Sequence, residues 1–217
     1  MTIPESQLAT WSSQGSITQS ANTYATIKLA LESRDTTYAE RTYEIFLQGS
    51  YGNDTNVYAD SDVDVVIKIN SFFFRDPSRL SADQKTAFES SFDDATYGYS
   101  EFKTGVVGIL SKRFESDVSL GKKAVWIKPN GRRRNADVLI SAQFRRYHEF
   151  HDYSNTRYDE GIAFLVSGSK LIENFPKQHS ANLTSKHQNT KNRLKPIVRI
   201  FKNMRNHMLD GRNFEMM

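Results

Sequence analysis

Asp62 and Asp64 alternate with Val63, Val65 and Ile67. In a strand, side chains two apart share a face, so the carboxylates stand side by side while the branched residues face a core. Adjacent carboxylates repel and are costly unless a cation sits between them. Mg²⁺ suits that place, because it takes one or two carboxylates plus phosphate oxygens. Gly49-Ser50 closes an apolar run upstream and is the candidate phosphate cradle. Glycine lets backbone approach a ligand and serine adds a hydroxyl donor. A two-ion site asks for a third carboxylate. Asp137 is the candidate, since it opens a strand-like run continuing Val138-Leu139-Ile140. The bland alternative is that Asp137 ends the arginine-rich turn by pairing with Arg133 or Arg134. Three carboxylates holding two Mg²⁺ suit in-line nucleotidyl transfer: one ion activates the attacking hydroxyl and the other neutralises the pyrophosphate. A lysine reaching the triphosphate would add a point charge.

The elements that must position these groups follow from periodicity. Residues 5–33 read as a helix that Ser12 to Ser16 divides, and residues 38–43 as a short second one. Residues 44–48 read as a strand entering the Gly-Ser turn, and 63–69 as the strand carrying the aspartates. Asn70 to Ser78 reads as an apolar loop. Ser81 caps a long helix that runs to about Phe114 with a break near Gly98. Residues 123–128 and 136–143 form a hairpin around an arginine-rich turn. Residues 144–160 read as a loop or irregular strand, and 161–171 as a short apolar segment. Asn174 to His179 turns into a helix. Another helix covers 190–209, with Pro196 in its first turn. Leu194, Ile197, Val198, Phe201, Met204 and Met208 form its apolar stripe, while Lys195, Arg199, Lys202 and Arg205 cover other faces.

The totals narrow the classes. A chain of 217 residues fits one domain, or one and part of another. Its 14 Phe and 10 Tyr argue against disorder, and a mean hydropathy of −0.60 fits a soluble protein. No apolar run reaches the roughly 20 residues of a membrane span, and the N-terminus has no leader pattern. With no cysteine there are no disulfides and no Cys-based zinc sites, which fits the cytoplasm. The net charge of +4 is uneven: from Lys170 to Arg212, ten Lys/Arg face only Glu173 and Asp210. A basic segment opposite an acidic strand suggests a polyanion held between them. A solvated helix face is the alternative.

Other groups read more plainly. Asp54 and Asp60 read as turn chemistry or solvent-facing residues. His148, His151, His179 and His187 lack a carboxylate pattern such as His-Glu-x-x-His and read as surface or packing residues. Ser167-Gly-Ser169 reads as a loop and Arg132–Arg134 as an exposed turn. The absence of a Walker-type motif argues against a P-loop NTPase.

Gly49-Ser50, eleven residues, then Asp62-Val-Asp64, with Asp137 later on a strand, resembles the signature of the polymerase-β-like nucleotidyltransferase superfamily. Three further runs, Asn174-Phe-Pro-Lys-Gln-His179, Asn189-Thr-Lys-Asn192 and Leu194-Lys-Pro-Ile-Val-Arg-Ile-Phe-Lys-Asn203, resemble the bacterial cGAS/DncV-like nucleotidyltransferases (CD-NTases). The likeness covers about residues 44–205. It implies that Gly49, Ser50 and Lys202 bind the donor NTP. It also implies that Asp62, Asp64 and Asp137 bind Mg²⁺, or Mn²⁺ in its place, and are the catalytic carboxylates. The products implied are cyclic or linear oligonucleotide second messengers, made from NTPs in antiphage defence and sensed by a separate effector protein. Family members usually continue with further C-terminal helices, so the lobe is expected to be cut short at Met217.

The expected architecture is therefore α/β (α+β). A mixed central sheet with flanking helices forms the catalytic core over residues 1–160, and a partial helical C-terminal lobe begins over 161–217. The expected partners are NTPs and the effector, with no membrane, and direct nucleic-acid binding is left open. One rival is a relative acting on another acceptor, as an AMP-transferase or a tRNA-end polymerase does. Another is a silent nucleotide- or RNA-binding module built on the basic helix and the 132–134 turn.

Overall fold

The computed structural model describes residues 3–215 except 16, 59–61, 94 and 167–169, and of 210–215 the backbone alone. Asp60 and the Ser167–Ser169 segment lie outside the described residues. In chain order the elements are α1 (Glu5–Ser12), α2 (Ile17–Leu31), β1 (Tyr43–Leu47), the short α3 (Gly49–Gly52), β2 (Val63–Asp76), α4 (Ala82–Glu89) and α5 (Tyr99–Phe114). They continue with β3 (Val118–Leu120), β4 (Val125–Ile127), β5 (Ala136–Phe150), β6 (Thr156–Val166), β7 (Lys170–Asn174), α6 (Pro176–Asn189) and α7 (Leu194–Glu215).

The sheet is mixed. Its order is β1-β2-β5-β4-β3, and β6 and β7 extend it from the far half of β5. β2 and β5 run parallel, while the other pairings are antiparallel. A parallel pair needs a long crossover, and α4, α5 and the β3–β4 hairpin fill it. Along β2, Val63, Val65, Ile67 and Ile69 turn to one face. With Ala136, Val138, Ile140 and Ala142 of β5 they bury against Ile27 and Leu31 of α2 and Phe102, Val106 and Leu110 of α5. The opposite face carries Asp64 and Asp137. Beyond them Val66, Leu139, Ile162 and Phe164 form a second core with Phe46 and Ile172 at its edge. Where β2 and β5 overrun the first core, Phe88 of α4 meets Tyr147 and Phe150 in a third.

Several local readings are corrected. Residues 34–41 form turns rather than a helix. There Tyr38 is fully buried and donates its hydroxyl hydrogen to the Leu31 carbonyl at 2.8 Å. Residues 70–76 continue β2 past a register shift between Ile69 and Phe73, because Phe72 and Phe74 still pack on the main core. Residues 144–160 belong mostly to two long paired strands, β5 and β6. Ser81 does cap a helix, through a reciprocal box with Gln84, but α4 ends at Glu89 and α5 starts afresh at Tyr99. The arginine turn is not uniformly exposed. Arg133 is buried, pairs with Asp117 at 2.8 Å and stacks on Phe114. Strands continue beyond residue 160 to Asn174, and the two helices α6 and α7 follow.

Candidate active site

The two strands that share the long parallel pairing place Asp64 directly beside Asp137. Register partners on parallel strands point to the same face, so these side chains lie next to one another. Asp62 stands one step before β2 and is exposed, whereas Asp64 and Asp137 are half-buried. Burial pushes the Asp64 carboxyl up to about 6, helped by the charges of Asp137 and Asp62 and partly offset by Lys202. Burial, with the Asp62 charge behind it, raises Asp137 as well. The three carboxylates therefore repel one another, and Lys202 of α7 brings an opposing charge to bear on Asp64. Arg133 is engaged by Asp117, and Arg134 reaches Gln19 and the Tyr58 carbonyl. Among the described residues, no ion pair joins a turn arginine to Asp137.

Gly49 explains its residue type. Its φ is +65°, a left-handed conformation that suits glycine, and an added Cβ would lie 1.9 Å from Oδ2 of Asp64. The Gly49-Ser50 backbone is thus pressed against the carboxylates. It is held there by the Gln48 N–H, which donates to the Asp64 carbonyl at 3.0 Å. Beside it a cavity of about 310 Å³ opens between the end of β1 and α6. Gln48, Gly49, Asn53, Asn174, His179 and Ser180 line it. It joins the glycine turn to the first turn of α6.

The donor set fits a hard divalent ion: all oxygens, mutually repelling, with room on the solvent side. Among the described residues, however, no three His, Asp or Glu side chains are gathered closely enough to make a ready-built cage.

Two groups at this site escaped the sequence reading. His179 lines the cleft because Pro176 starts α6 at its rim, and nothing in its sequence neighbourhood signals that. Asp54, read as turn chemistry, accepts an ion pair from the buried Lys195 at 2.8 Å. The remaining histidines stand apart from the cleft. His148 pairs with Asp159, and Nδ1 of His187 accepts the Lys195 backbone N–H where α6 meets α7.

Known proteins resemble this chain in sequence and fold. The family described as "cGAS/DncV-like nucleotidyltransferase C-terminal helical domain" matches residues 181–215. A cyclic UMP-AMP synthase of Rhodothermus marinus is 36% identical over 212 residues, covering 97% of this chain and 70% of that protein. The structure of the Rhodothermus marinus CdnE synthase with Apcpp and Upnpp superposes with a TM-score of 0.82 at 35% identity, over 97% of this chain and 69% of that one. Cyclic nucleotide synthase CdnE01 of Staphylococcus haemolyticus is 34% identical over 214 residues, covering 96% of this chain and 70% of that protein. The chain belongs to the cGAS/DncV-like nucleotidyltransferases, the CD-NTases. It is thus an enzyme of the nucleotidyltransferase class. No helix among the described residues is long and apolar enough to cross a membrane.

Proposed function

We propose that this enzyme joins NTPs into a cyclic or linear oligonucleotide second messenger, in a Mg²⁺-dependent reaction in the cytoplasm, as part of antiphage defence. The observation that carries the reading is Asp64 and Asp137 in register on neighbouring strands, with Gly49 pressed against Asp64 and the charges of Asp62 and Lys202 acting on it. Such an array is unfavourable for the empty protein and becomes favourable once cations and phosphates enter it. The relatives' names point the same way, to cyclic nucleotide synthesis.

In this reading Asp62, Asp64 and Asp137 hold Mg²⁺, with Mn²⁺ as a substitute. When bound, the ions lower the pKa of the attacking hydroxyl and offset charge on the pyrophosphate. The Gly49 backbone lets the donor phosphates come close to the strand, and the Ser50 hydroxyl donates to them. Lys202 supplies a point charge to the triphosphate from the opposite wall. Asp137 orients the acceptor hydroxyl and draws on its proton. The helices after Phe175 begin the lobe that covers the nucleotide. The product then acts on a separate effector protein.

The test is incubation with all four NTPs and Mg²⁺, followed by mass spectrometry. A phosphatase-resistant small oligonucleotide is expected, and the paired change Asp62→Ala with Asp64→Ala abolishes it. Label appearing on protein or on tRNA ends would replace this reading with a protein- or RNA-modifying one. Unchanged turnover in the double variant would remove the carboxylates from the mechanism.

A further inference from the structure

Helix α7 docks in an unusual sense: its charged face is turned inward. Lys195 is buried at 9% exposure, while Ile197 and Phe201 are 44% and 63% exposed. Lys195, Arg199 and Lys202 follow one another at helical spacing, so they lie on one side. Each meets the catalytic half of the molecule. The Lys195 ammonium pairs with Oδ2 of Asp54 at 2.8 Å. The Arg199 guanidinium donates to the backbone carbonyls of Asp54 and Ser12. Lys202 faces Asp64. One helical turn further, Asn203 donates to the Trp11 carbonyl at 3.0 Å.

Asp54 thus receives two of the three cations, one on its side chain and one on its carbonyl. It ends the segment that begins at the glycine turn. Asn53 donates to the Gly49 carbonyl at 2.8 Å, and the Thr55 N–H donates to the Ser50 carbonyl at 2.9 Å. Asp54 itself has a φ of +56°, so its carbonyl and carboxylate are both presented to α7. One residue therefore ties the loop proposed to cradle phosphate to the helix proposed to supply the opposing cation.

We propose that Asp54 is a positioning residue for the triphosphate. Through Lys195 and Arg199 it sets the rotation and height of α7, so that Lys202 stands across the phosphates from Gly49-Ser50. The inference rests on the reading of Lys202 given above and adds a residue that does not itself touch the nucleotide. A long lysine on a helix free to rotate would spread its charge over many positions. Holding the helix at Lys195 and Arg199 restricts Lys202 to the cleft before the nucleotide arrives, which lowers the ordering cost of binding.

Asp54→Asn is the informative change. Asparagine tolerates the left-handed conformation and keeps the carbonyl for Arg199, so only the carboxylate charge that pairs with Lys195 is lost. Lys195→Met makes the same break from the other side and guards against a folding defect in the first variant. Calorimetry on the full chain with Mg²⁺ would compare an NTP analogue with a non-cleavable α–β bridge against the matching NMP. Either variant is expected to weaken NTP binding about fivefold and leave NMP binding unchanged. In a Lys202→Ala background neither is expected to weaken NTP binding further, because residues acting through one group are non-additive. Equal losses for NTP and NMP, or losses that add to that of Lys202→Ala, would overturn the proposal. If Lys202→Ala alone leaves NTP affinity intact, the Lys202 assignment fails first and takes this inference with it.

Discussion

At the scale of single residues, the site is a store of unfavourable electrostatics. Asp64 holds its proton up to about pH 6, against 3.8 for an ordinary aspartate. Its ionised form is therefore penalised in the folded protein. Below the unfolded value both states are protonated and nothing is lost; as pH rises from about 4 through 6, the folded state pays for ionisation. Asp64→Asn should accordingly stabilise the metal-free chain above about pH 6 by on the order of 1–2 kcal/mol, discounted for the group's partial exposure, and leave it unchanged below about pH 4. Thermal unfolding across that range checks the sign. Mg²⁺ should raise the melting temperature of the native chain and not of the variant. Gly49→Ala is the steric counterpart. A methyl 1.9 Å from the Asp64 carboxylate, on a backbone at φ +65°, must displace one of them. The expected cost is about 1–2 kcal/mol in denaturant unfolding, with loss of NTP binding.

At the scale of elements, α7 shows what a periodic stripe does and does not say. The apolar positions repeat as a helix requires, and a helix forms from Leu194. Yet Ile197, Phe201 and Met208 lie on its exposed side, because the buried side is chosen by Asp54, Ser12 and Trp11. Phe201→Ala should therefore cost less than about 0.5 kcal/mol in this chain. Phe102→Ala, in the fully buried face of α5, should cost about 3–5 kcal/mol. Comparable losses at the two positions in denaturant unfolding would mean that α7 is docked the other way round. Strands β5 and β6 teach a related lesson. Arg145 lies over the Phe73 ring at 3.9 Å and over Tyr158 at 4.9 Å, and Arg146 lies over Phe175 at 5.0 Å. Cations stacked on rings behave as half-apolar residues, so the polar–apolar alternation that marks a strand is blurred there.

At the scale of the whole molecule, the cleft is braced by charge as well as by cores. Lys68, fully buried in β2, pairs with Glu160 of β6 at 2.6 Å and lies 3.6 Å from Glu44 of β1. Lys177 of α6 reaches the same Glu44 and lies over Phe46. The network links the edge strand, the central strand, the sheet extension and the first helix after Phe175. Lys68→Met, which removes the buried charge, should be tolerated within about 1 kcal/mol. Glu44→Gln with Glu160→Gln, which strands that charge, should cost on the order of 2–3 kcal/mol, short of the fully buried range because both carboxylates keep a solvent side. Chemical denaturation separates the two outcomes.

The chain's local chemistry was legible from residue types alone. Alternation fixed the faces of β2, the Ser81–Gln84 pair marked a cap, and the spacing of Gly49-Ser50, Asp62-Val-Asp64 and Asp137 carried the resemblance to the family to which the chain belongs. These features are short-range, set by the two-residue period of a strand and the first turn of a helix. Tertiary structure decided which strands became neighbours, and so that Asp64 and Asp137 share a register. It also decided that α7 turns its cations inward, where Asp54 pairs with Lys195 and accepts from Arg199 rather than forming a solvated turn. The docking of α7 depends on contacts across more than 100 residues, such as Lys195 with Asp54 and Asn203 with Trp11. No local pattern encodes them, because burial of a charge is settled by the partner it meets.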